Sequence, residues 1–341
     1  MSYDRTAVVF VNLGSPKEPT PKAVKQFLKE FLGDPRVIEV NPILWKIILN
    51  LIILPIRSPQ SAKRYETIWT PEGSPLVVET EKLVGGMGQR LGKKFPGLFC
   101  TYAMRYGDPS IANVVRNLHL EKGFQKILLV PLNPQYSATT TGSVMDALCE
   151  VLKTMRSQPE IRVVRDFHNE DAYIEALAKS ISDFWKKHSP LGDKGKLVLS
   201  FHGMPQSYVN KGDPYQDQTV VESDLIANRL NLKSDQWIRT YQSRFGKDVW
   251  LQPYTEPTLV ELAKKGTERI DIVCPSFITD CLETHEEIEG EARKAFLDAG
   301  GKEFNYIPCL NAQDYWLDEM SDYEKVLGIL SFMSYINYDY D

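Results

Sequence analysis

Short apolar runs rich in β-prone residues alternate with helical patterns along this chain, and this alternation restricts the possible folds most strongly. The strand-like runs lie at residues 6–12, 98–104, 126–132, 161–167, 196–202, 248–254, 269–275 and 304–308. Helical patterns lie between them, at about 21–32, 76–94, 109–121, 139–155, 170–188, 217–232, 257–266, 282–298 and 311–330. Strands that alternate with helices in this way are typical of parallel α/β architecture.

The length of 341 residues exceeds the usual size of a single hydrophobic core, so we expect two domains with about four strands each. A weak internal repeat supports two similar halves. VNLGSP, which ends at Pro16, resembles SFHGMP, which ends at Pro205, and LLVPLNPQYS resembles DIVCPSFITD. Because the interval from Pro16 to Pro131 is longer than that from Pro205 to Pro275, the first half contains an insertion.

The insertion is assigned to residues 41–59, whose central stretch from Ile43 to Ile56 is almost wholly apolar, with Lys46 interrupting one side only. At about fourteen residues this stretch is shorter than the roughly twenty that a bilayer-spanning helix needs. Three interpretations are compatible with it: a buried helix, a lid over an apolar ligand, or an interfacial contact with a membrane.

Composition excludes several classes of protein. The net charge of −5 and the lack of a basic run argue against a nucleic-acid surface, so we expect a small-molecule partner. Five cysteines without CxxC spacing fit a reducing compartment, and they argue against a closed zinc or iron–sulfur site. The first residues lead into a strand pattern without the features of a signal peptide, which predicts a cytoplasmic protein.

The run at 197–201 ends on His202-Gly203 and opens an elaborate loop, MPQSYVNKGDPY. The carboxyl ends of parallel strands border the ligand crevice of open α/β sheets, so an imidazole there is exposed to ligand. An imidazole is the side chain most often used for proton transfer or metal ligation near neutral pH. A core histidine bonded to a backbone carbonyl, or a histidine that caps a helix, is the structural alternative.

A second strand end is followed by an acidic run in which Glu283, Glu287 and Glu291 are spaced four residues apart. On a helix this spacing aligns three carboxylates on one side, where they could bind a hydrated divalent cation. A solvated helix face, or a capping box formed by Asp280 and Glu283, would give the same pattern. Together with His202, these groups predict either an acid/base pair or two ligands of an open metal site.

Aromatic and polar residues follow the same strand ends, where they predict a cleft for a large, flat, apolar ligand. They are Tyr136, Ser137, Tyr208, Trp250 and Phe277. Arg105 and Tyr106 could bind an acidic group of that ligand. Core packing is the alternative for the aromatic residues, and a surface ion pair is the alternative for Arg105.

Eight motifs in order give this chain a resemblance to the ferrochelatase family over about residues 5 to 320. They are VNLGSP, GSPL, MRYGDPS, PLNPQYSATTTGS, LVLSFHGMPQSYVNKGDPY, YQSRFGKDVWLQPYTEPTL, PSFITDCLETHEEI and YIPCLN. The resemblance implies insertion of Fe²⁺ into protoporphyrin IX, with release of two protons, as the terminal step of haem synthesis. It also implies two flavodoxin-like halves around a porphyrin cleft: residues 1–168 with an apolar lip at 41–59, and residues 169–310. Residues 311–341 would form a C-terminal helix and tail that could pack back on the first half.

The resemblance also implies roles for individual residues. His202 and Glu283 face each other across the porphyrin, either as proton acceptor and metal-delivering carboxylate or as two ligands of the incoming Fe²⁺. Glu287 and Glu291 would guide metal or protons. The remaining positions are predicted to contact the macrocycle: Leu13, Tyr136, Ser137, Trp250, Phe277, Arg105 and Tyr106.

Two departures from the animal members accompany the resemblance. Cys281 replaces a histidine two residues before the catalytic glutamate, and no cysteine follows Cys309, so no iron–sulfur cluster and no tightly bound cofactor is expected. The apolar stretch 43–56 would allow peripheral contact with the inner face of the cytoplasmic membrane. A porphyrin or haem carrier, or a chelatase for another metal or tetrapyrrole, is the alternative function.

Overall fold

The computed structural model describes residues 5–322 of the chain. These residues form two compact units. Unit 1 contains residues 5–133, 137–166 and 312–322, and unit 2 contains residues 134–136 and 167–311. The short segment 134–136 therefore belongs to unit 2, although its neighbours on both sides belong to unit 1.

Unit 1 is built on a four-stranded parallel sheet with the strand order β2-β1-β3-β4. Its strands are β1 (Thr6–Asn12), β2 (Phe99–Met104), β3 (Lys126–Pro131) and β4 (Glu160–Val163). Its helices are α1 (Pro21–Phe31), α2 (Pro42–Ile48), α3 (Leu54–Ile68), α4 (Pro75–Lys94), α5 (Ile111–Arg116) and α6 (Ser143–Leu152), with π-helical segments at Leu49–Ile53, Asn117–Glu121 and Ala138–Gly142. Both central strands, β1 and β3, are buried along their whole length because helices cover both faces of the sheet.

Unit 2 repeats this arrangement with the strand order β6-β5-β7-β8, again entirely parallel. Its strands are β5 (Gly195–His202), β6 (Trp237–Gln242), β7 (Arg269–Val273) and β8 (Glu303–Tyr306). Its helices are α7 (Asp171–His188), α8 (Gln206–Asn210), α9 (Tyr215–Arg229), α10 (Thr255–Lys264) and α11 (Arg293–Asp298), with a π-helical segment at Glu283–Ala292. The prediction of two parallel four-stranded sheets flanked by helices is confirmed.

The predicted strand at 248–254 is wrong, and the fourth strand of this sheet is β6, which the sequence pattern does not predict. Residues 248–254 form a loop that touches the segment after β5, where Trp250 pairs with Pro205 in an isolated antiparallel bridge. Trp237, Ile238 and Arg239 of β6 are only partly buried because β6 is an edge strand, so its sequence lacks the apolar run expected of a central strand.

The apolar segment of unit 1 forms a helix of 27 residues, from Pro42 to Ile68, interrupted only by the π-helical turn. One side packs inward through Leu49, Leu54 and other buried residues. The opposite side is exposed and apolar: Ile43, Leu44, Ile47, Leu51, Ile52 and Ile56 are each more than half exposed. The buried-helix interpretation is therefore wrong for this side of the helix.

The same helix is longer than the fourteen apolar residues suggested. By length and composition alone, it could cross a membrane.

The last described helix, α12 (Asp314–Ser321), contacts α4 of unit 1. Arg90 of α4 forms ion pairs with Asp314 and Asp318, at 2.9 and 2.6 Å. The predicted helix at 311–330 is observed only over these eight residues, and residues 323–341 lie outside the described part of the chain.

Candidate active site

His202 is the last residue of β5, the central strand of the unit 2 sheet, and three hydrogen bonds close a ring around its backbone. The His202 amide donates to Ser276 Oγ at 3.2 Å, and the Tyr215 hydroxyl donates to the His202 carbonyl at 2.8 Å. Tyr215 and Ser276 lie 2.7 Å apart. Because the single hydroxyl hydrogen of Tyr215 goes to the carbonyl, Ser276 must donate to Tyr215. The backbone at His202 is therefore fixed independently of its side chain.

The imidazole of His202 is only partly buried, and one of its nitrogens has a defined partner. Nδ1 lies 2.7 Å from the carbonyl oxygen of Gly203. A carbonyl oxygen can only accept, so Nδ1 carries the hydrogen and Nε2 of the neutral ring carries a lone pair. Nε2 is thus the atom that can accept a proton or bind a metal ion.

Two predicted aromatic residues lie beside this histidine. The ring of Phe277 packs edge-on to the imidazole, with 6.2 Å between ring centroids. Trp250 lies over Gly203, where a Cβ atom would be 3.1 Å from Trp250 Cε3 and 2.7 Å from the Gln242 carbonyl oxygen. Glycine at 203 is therefore needed for the close approach of the indole to the strand end. Loop 248–251 is held there by backbone bonds from Gln206 to Val249 and from Leu251 to Met204.

Glu283 is connected to this strand end through Gln242, the partner of His202 in the β5–β6 register. Gln242 Nε2 donates to the carbonyl oxygen of Glu283 at 3.2 Å, and Gln242 Oε1 accepts from Ser200 of β5 at 2.8 Å. Glu283 begins the π-helical segment and is partly buried. The backbone of the glutamate is thereby tied to the two strands that end at the histidine.

The other two acidic residues lie further along this segment. Ser243, which has a left-handed backbone (φ 63°), donates to Glu287 Oε2 at 2.5 Å. Glu291 is exposed. The segment has π-helical i→i+5 bonding, so its turns are wider than those of the α-helix that the spacing predicted.

The alternative capping box of Asp280 and Glu283 is wrong. The Asp280 carboxylate instead accepts hydrogen bonds from Tyr306, the Cys309 amide and Asn311. These partners lie at the end of β8 and in the residues that follow it. Their contact with Asp280 could not be predicted from the local spacing of residues.

The cysteines of the chain are all free thiols. Burial raises the pKa of the Cys281 thiol well above its ordinary value, and the neighbouring Glu283 carboxylate raises it further. Cys281 is thus a neutral, buried side chain beside the site. Over residues 5–322, no group of three or more His, Cys, Asp or Glu side chains is placed to hold a metal ion.

Tyr136 and Ser137 lie side by side in the chain but have different environments. Tyr136 belongs to unit 2, where its amide donates to Gln218 Oε1 of α9 at 2.6 Å and its side chain is partly buried. Ser137 is buried and caps the π-helical segment at Ala138–Gly142 through the Thr139 amide. Its hydroxyl therefore has a structural role in this segment, and a contact between Ser137 and the ligand stays a prediction.

In unit 1, Arg105 and Tyr106 surround a buried carboxylate. Asp34 Oδ2 accepts from Arg105 Nη2 at 2.5 Å, from the Tyr106 hydroxyl at 2.8 Å and from Ser143 at 2.6 Å. Tyr106 is entirely buried, and Arg105 forms an ion pair with Asp34. Their contacts with a ligand stay predictions. Leu13, at the end of β1, is partly buried.

Comparison with known proteins identifies the family of this chain. The model of the family described as Ferrochelatase matches residues 5–325. The chain belongs to the ferrochelatase family. Among curated relatives, the ferrochelatase of Dechloromonas aromatica is 50% identical over 324 residues, which is 95% of this chain and 88% of that protein. The ferrochelatase of a Janthinobacterium strain is 49% identical and covers 94% of this chain and 86% of its own length.

Solved structures with the same fold include chelatases. SirB from Bacillus subtilis with Fe³⁺ superposes with a TM-score of 0.56 at 14% identity and covers 99% of this chain and all of that protein. DR2241 from Deinococcus radiodurans, described as similar to chelatases with two additional domains, gives a TM-score of 0.54 at 9% identity, over 94% of this chain and 55% of that one. At these identities the likeness concerns the fold alone.

Three residues of the site are not apparent from the sequence: Ser276, Tyr215 and Gln242. Each lies within one of the eight motifs, but its role depends on contacts between β5, β6 and the loop after β7. No local pattern in the sequence signals such contacts.

Proposed function

We propose that this ferrochelatase, a metal-chelating lyase, inserts Fe²⁺ into protoporphyrin IX and releases the two pyrrole protons, with His202 as the central residue. The observation that carries the assignment of His202 is the bond from its Nδ1 to Gly203, which leaves Nε2 with a lone pair at the end of a central strand. Trp250 and Phe277 lie around the same strand end and would stack on a flat macrocycle.

The proposed chemistry needs a base and a cation-binding group. The free-base porphyrin must lose two N–H protons for each Fe²⁺ bound, and Nε2 of His202 is placed to accept one of them. Glu283 would replace water ligands of the incoming metal. The same two groups could instead bind Fe²⁺ together before insertion, and both orders of events remain within the proposal.

The other predicted ligand residues divide into two groups. Tyr136, Trp250 and Phe277 are partly buried in unit 2 and have ring surface available for a macrocycle. Four residues of unit 1 stay predictions as porphyrin contacts: Leu13, Arg105, Tyr106 and Ser137. The roles of Glu287 and Glu291 in guiding metal or protons stay predictions as well.

Insertion is measured by the loss of protoporphyrin fluorescence when Fe²⁺ or Zn²⁺ is added anaerobically to the protein. We expect a rate well above buffer, and a loss of about a hundredfold or more in His202→Ala because a positioned base contributes about that much. His188→Ala, an exposed histidine at the end of α7, is the matched control and should retain the wild-type rate. Stoichiometric porphyrin binding without insertion would contradict the proposal and favour a carrier.

The order of events is tested by metal binding without porphyrin. If both residues ligate the metal first, Glu283→Gln and His202→Ala weaken the binding of Fe²⁺ or Zn²⁺ to the free protein equally. If His202 is only the base, then only Glu283→Gln weakens it. Glu289→Gln, an exposed residue of the same helical segment, serves as the control.

We also propose a peripheral membrane contact through residues 43–56, on the inner face of the cytoplasmic membrane. Six exposed apolar side chains line one side of this helix. Such a side lies favourably at a lipid interface, where each buried Leu or Ile contributes roughly 1.5–3 kcal/mol. The exposed Lys46 on the same segment could extend to anionic headgroups. The cytoplasmic location itself stays a prediction.

Liposome flotation tests this contact. The wild-type protein should float with vesicles that contain anionic lipid, and the double variant Ile47→Asp/Leu51→Asp should lose at least about tenfold in vesicle binding. Val249→Asp changes an exposed apolar residue of unit 2 and should float like the wild type. Equal flotation of the double variant would remove this helix as the contact.

A further inference from the structure

Helix α9 buries a glutamate that the proposed chemistry does not use. Glu222 is fully buried on the same side of the helix as Tyr215 and Gln218. Among residues 5–322 its carboxyl group forms hydrogen bonds only with the neutral side chains of Gln135 and Tyr173. A buried carboxylate without a cationic partner is very unfavourable, so this group calls for an explanation.

The contacts around Glu222 require one hydrogen more than its neighbours supply. The Tyr173 hydroxyl, with one hydrogen, lies 2.6 Å from the Pro275 carbonyl oxygen and 3.2 Å from Glu222 Oε1. Gln135 Nε2, with two hydrogens, lies 2.5 Å from Glu222 Oε2 and 3.3 Å from the same carbonyl. Tyr173 and Gln135 thus have three hydrogens for four donor–acceptor pairs. A proton on Oε1 of Glu222, donated to the Tyr173 oxygen, supplies the fourth hydrogen.

The same contacts reach two segments of the site. Gln135 precedes Tyr136, whose amide is held by Gln218 one helical turn before Glu222. Pro275, to which both partners of Glu222 point, precedes Ser276, which closes the hydrogen-bonded ring at His202. Glu222 therefore lies where a single side chain braces the backbone before Tyr136 and the backbone before Ser276.

We propose that Glu222, present as a neutral carboxylic acid, is a positioning residue that holds Tyr136 and His202 in their places. The inference rests on the proposed function for its kinetic consequence, but the protonation of Glu222 stands on the hydrogen-bond geometry. Ionisation of Glu222 would place a negative charge opposite the Tyr173 oxygen, and the hydrogen bond from Glu222 to Tyr173 would be lost.

In the described part of the chain, no cationic side chain interacts with Glu222 and favours its ionised form. The titratable side chains packed around it are the phenols of Tyr173 from α7 and Tyr215 from α9, and burial raises the pKa of both. Burial likewise raises the pKa of Glu222 well above the ordinary carboxyl value, although its hydrogen bonds to Gln135 and Tyr173 act in the opposite direction.

Infrared difference spectroscopy tests the protonation without any enzymatic assay. The wild-type protein minus Glu222→Gln should show the carbonyl stretch of a protonated carboxylic acid at neutral pH. Asp224→Asn, which changes an exposed acid of the same helix, should not remove that band. A difference spectrum that instead shows loss of an ionised carboxylate would overturn the proposal.

Kinetics test the positioning role. Glu222→Ala should lower kcat/KM for porphyrin metallation about tenfold, because the Gln135 amide loses its shorter hydrogen bond and keeps only the longer one to the Pro275 carbonyl. Glu222→Gln, which has the shape and neutrality of the protonated acid, should restore kcat/KM to within about twofold of the wild type. Equal loss in both variants, or no loss in either, would overturn the positioning role. If the wild-type protein inserts no metal, the proposed function fails, while the infrared result still decides the state of Glu222.

Discussion

Replacing Glu222 with glutamine should change how the stability of unit 2 depends on pH. The ordinary carboxyl pKa is 4.5, and burial raises the pKa in the folded protein well above it. Between these two pKa values the unfolded chain has released a proton that the folded chain retains. The contribution of Glu222 to the free energy of unfolding is therefore complete at pH values below the ordinary carboxyl pKa. It is lost as the pH rises towards the pKa of Glu222 in the folded protein.

The slope can be worked out from linkage. One proton that is bound in the folded state and released in the unfolded state lowers the free energy of unfolding by about 1.4 kcal/mol per pH unit. Glutamine has no such proton, so the difference in unfolding free energy between Glu222→Gln and the wild type should grow by this amount with each unit. At equal strength of the remaining contacts, the variant becomes the more stable protein as pH rises.

The measurement must report on unit 2, since the two units need not unfold together. We therefore expect to measure the unfolding of unit 2 in urea titrations from about pH 5 to about pH 8. Pulsed hydrogen exchange of the amides of β5 and β7 detects the unfolding of this unit. Asp224→Asn is the control and should give a curve parallel to the wild type. Parallel curves for Glu222→Gln and the wild type would refute a raised pKa at Glu222 and, with it, the account of the buried acid.

Further substitutions test the local geometry. Gly203→Ala should destabilise unit 2 by about 1–3 kcal/mol in urea titrations, because the added Cβ would meet the Gln242 carbonyl. Gly85→Ala on α4 is the control: nothing lies within 4 Å of its added Cβ, so it should stabilise unit 1 by up to about 1 kcal/mol. The reverse order of these two effects would contradict the contacts described. Asp34→Asn should cost about 3 kcal/mol in thermal or urea unfolding because Arg105 loses its buried carboxylate partner, and a neutral outcome would show that this pair is dispensable.

The fold was largely predictable from the sequence because the central strands β1, β3, β5 and β7 are buried on both faces and read as continuous apolar runs. The edge strand β6 failed this test, and an apolar loop at 248–254 was taken for it. The other three edge strands, β2, β4 and β8, were predicted, so only the edge strand without an apolar run was missed.

The candidate site was predictable only as far as strand ends and side-chain chemistry allow. His202 and Glu283 were predicted as candidates because a histidine and a carboxylate lie at the ends of neighbouring strands of one sheet. Ser276 and Glu222 were missed because their roles depend on residues 61 and 87 positions away in the sequence, Tyr215 and Gln135. The π-helical segments were missed as well, since a search for 3.6-residue periodicity favours the α-helix.

The closed ring of Ser276, Tyr215 and the His202 backbone separates the place of the side chain at position 202 from its chemistry. None of the three bonds uses the imidazole, so the peptide unit would be held in the same way with another residue there. The end of β5 therefore holds its backbone in place whichever side chain it carries. A cysteine or methionine introduced at 202 would be presented from an unchanged backbone, which makes this position a starting point for redesigning metal preference without rebuilding the loop.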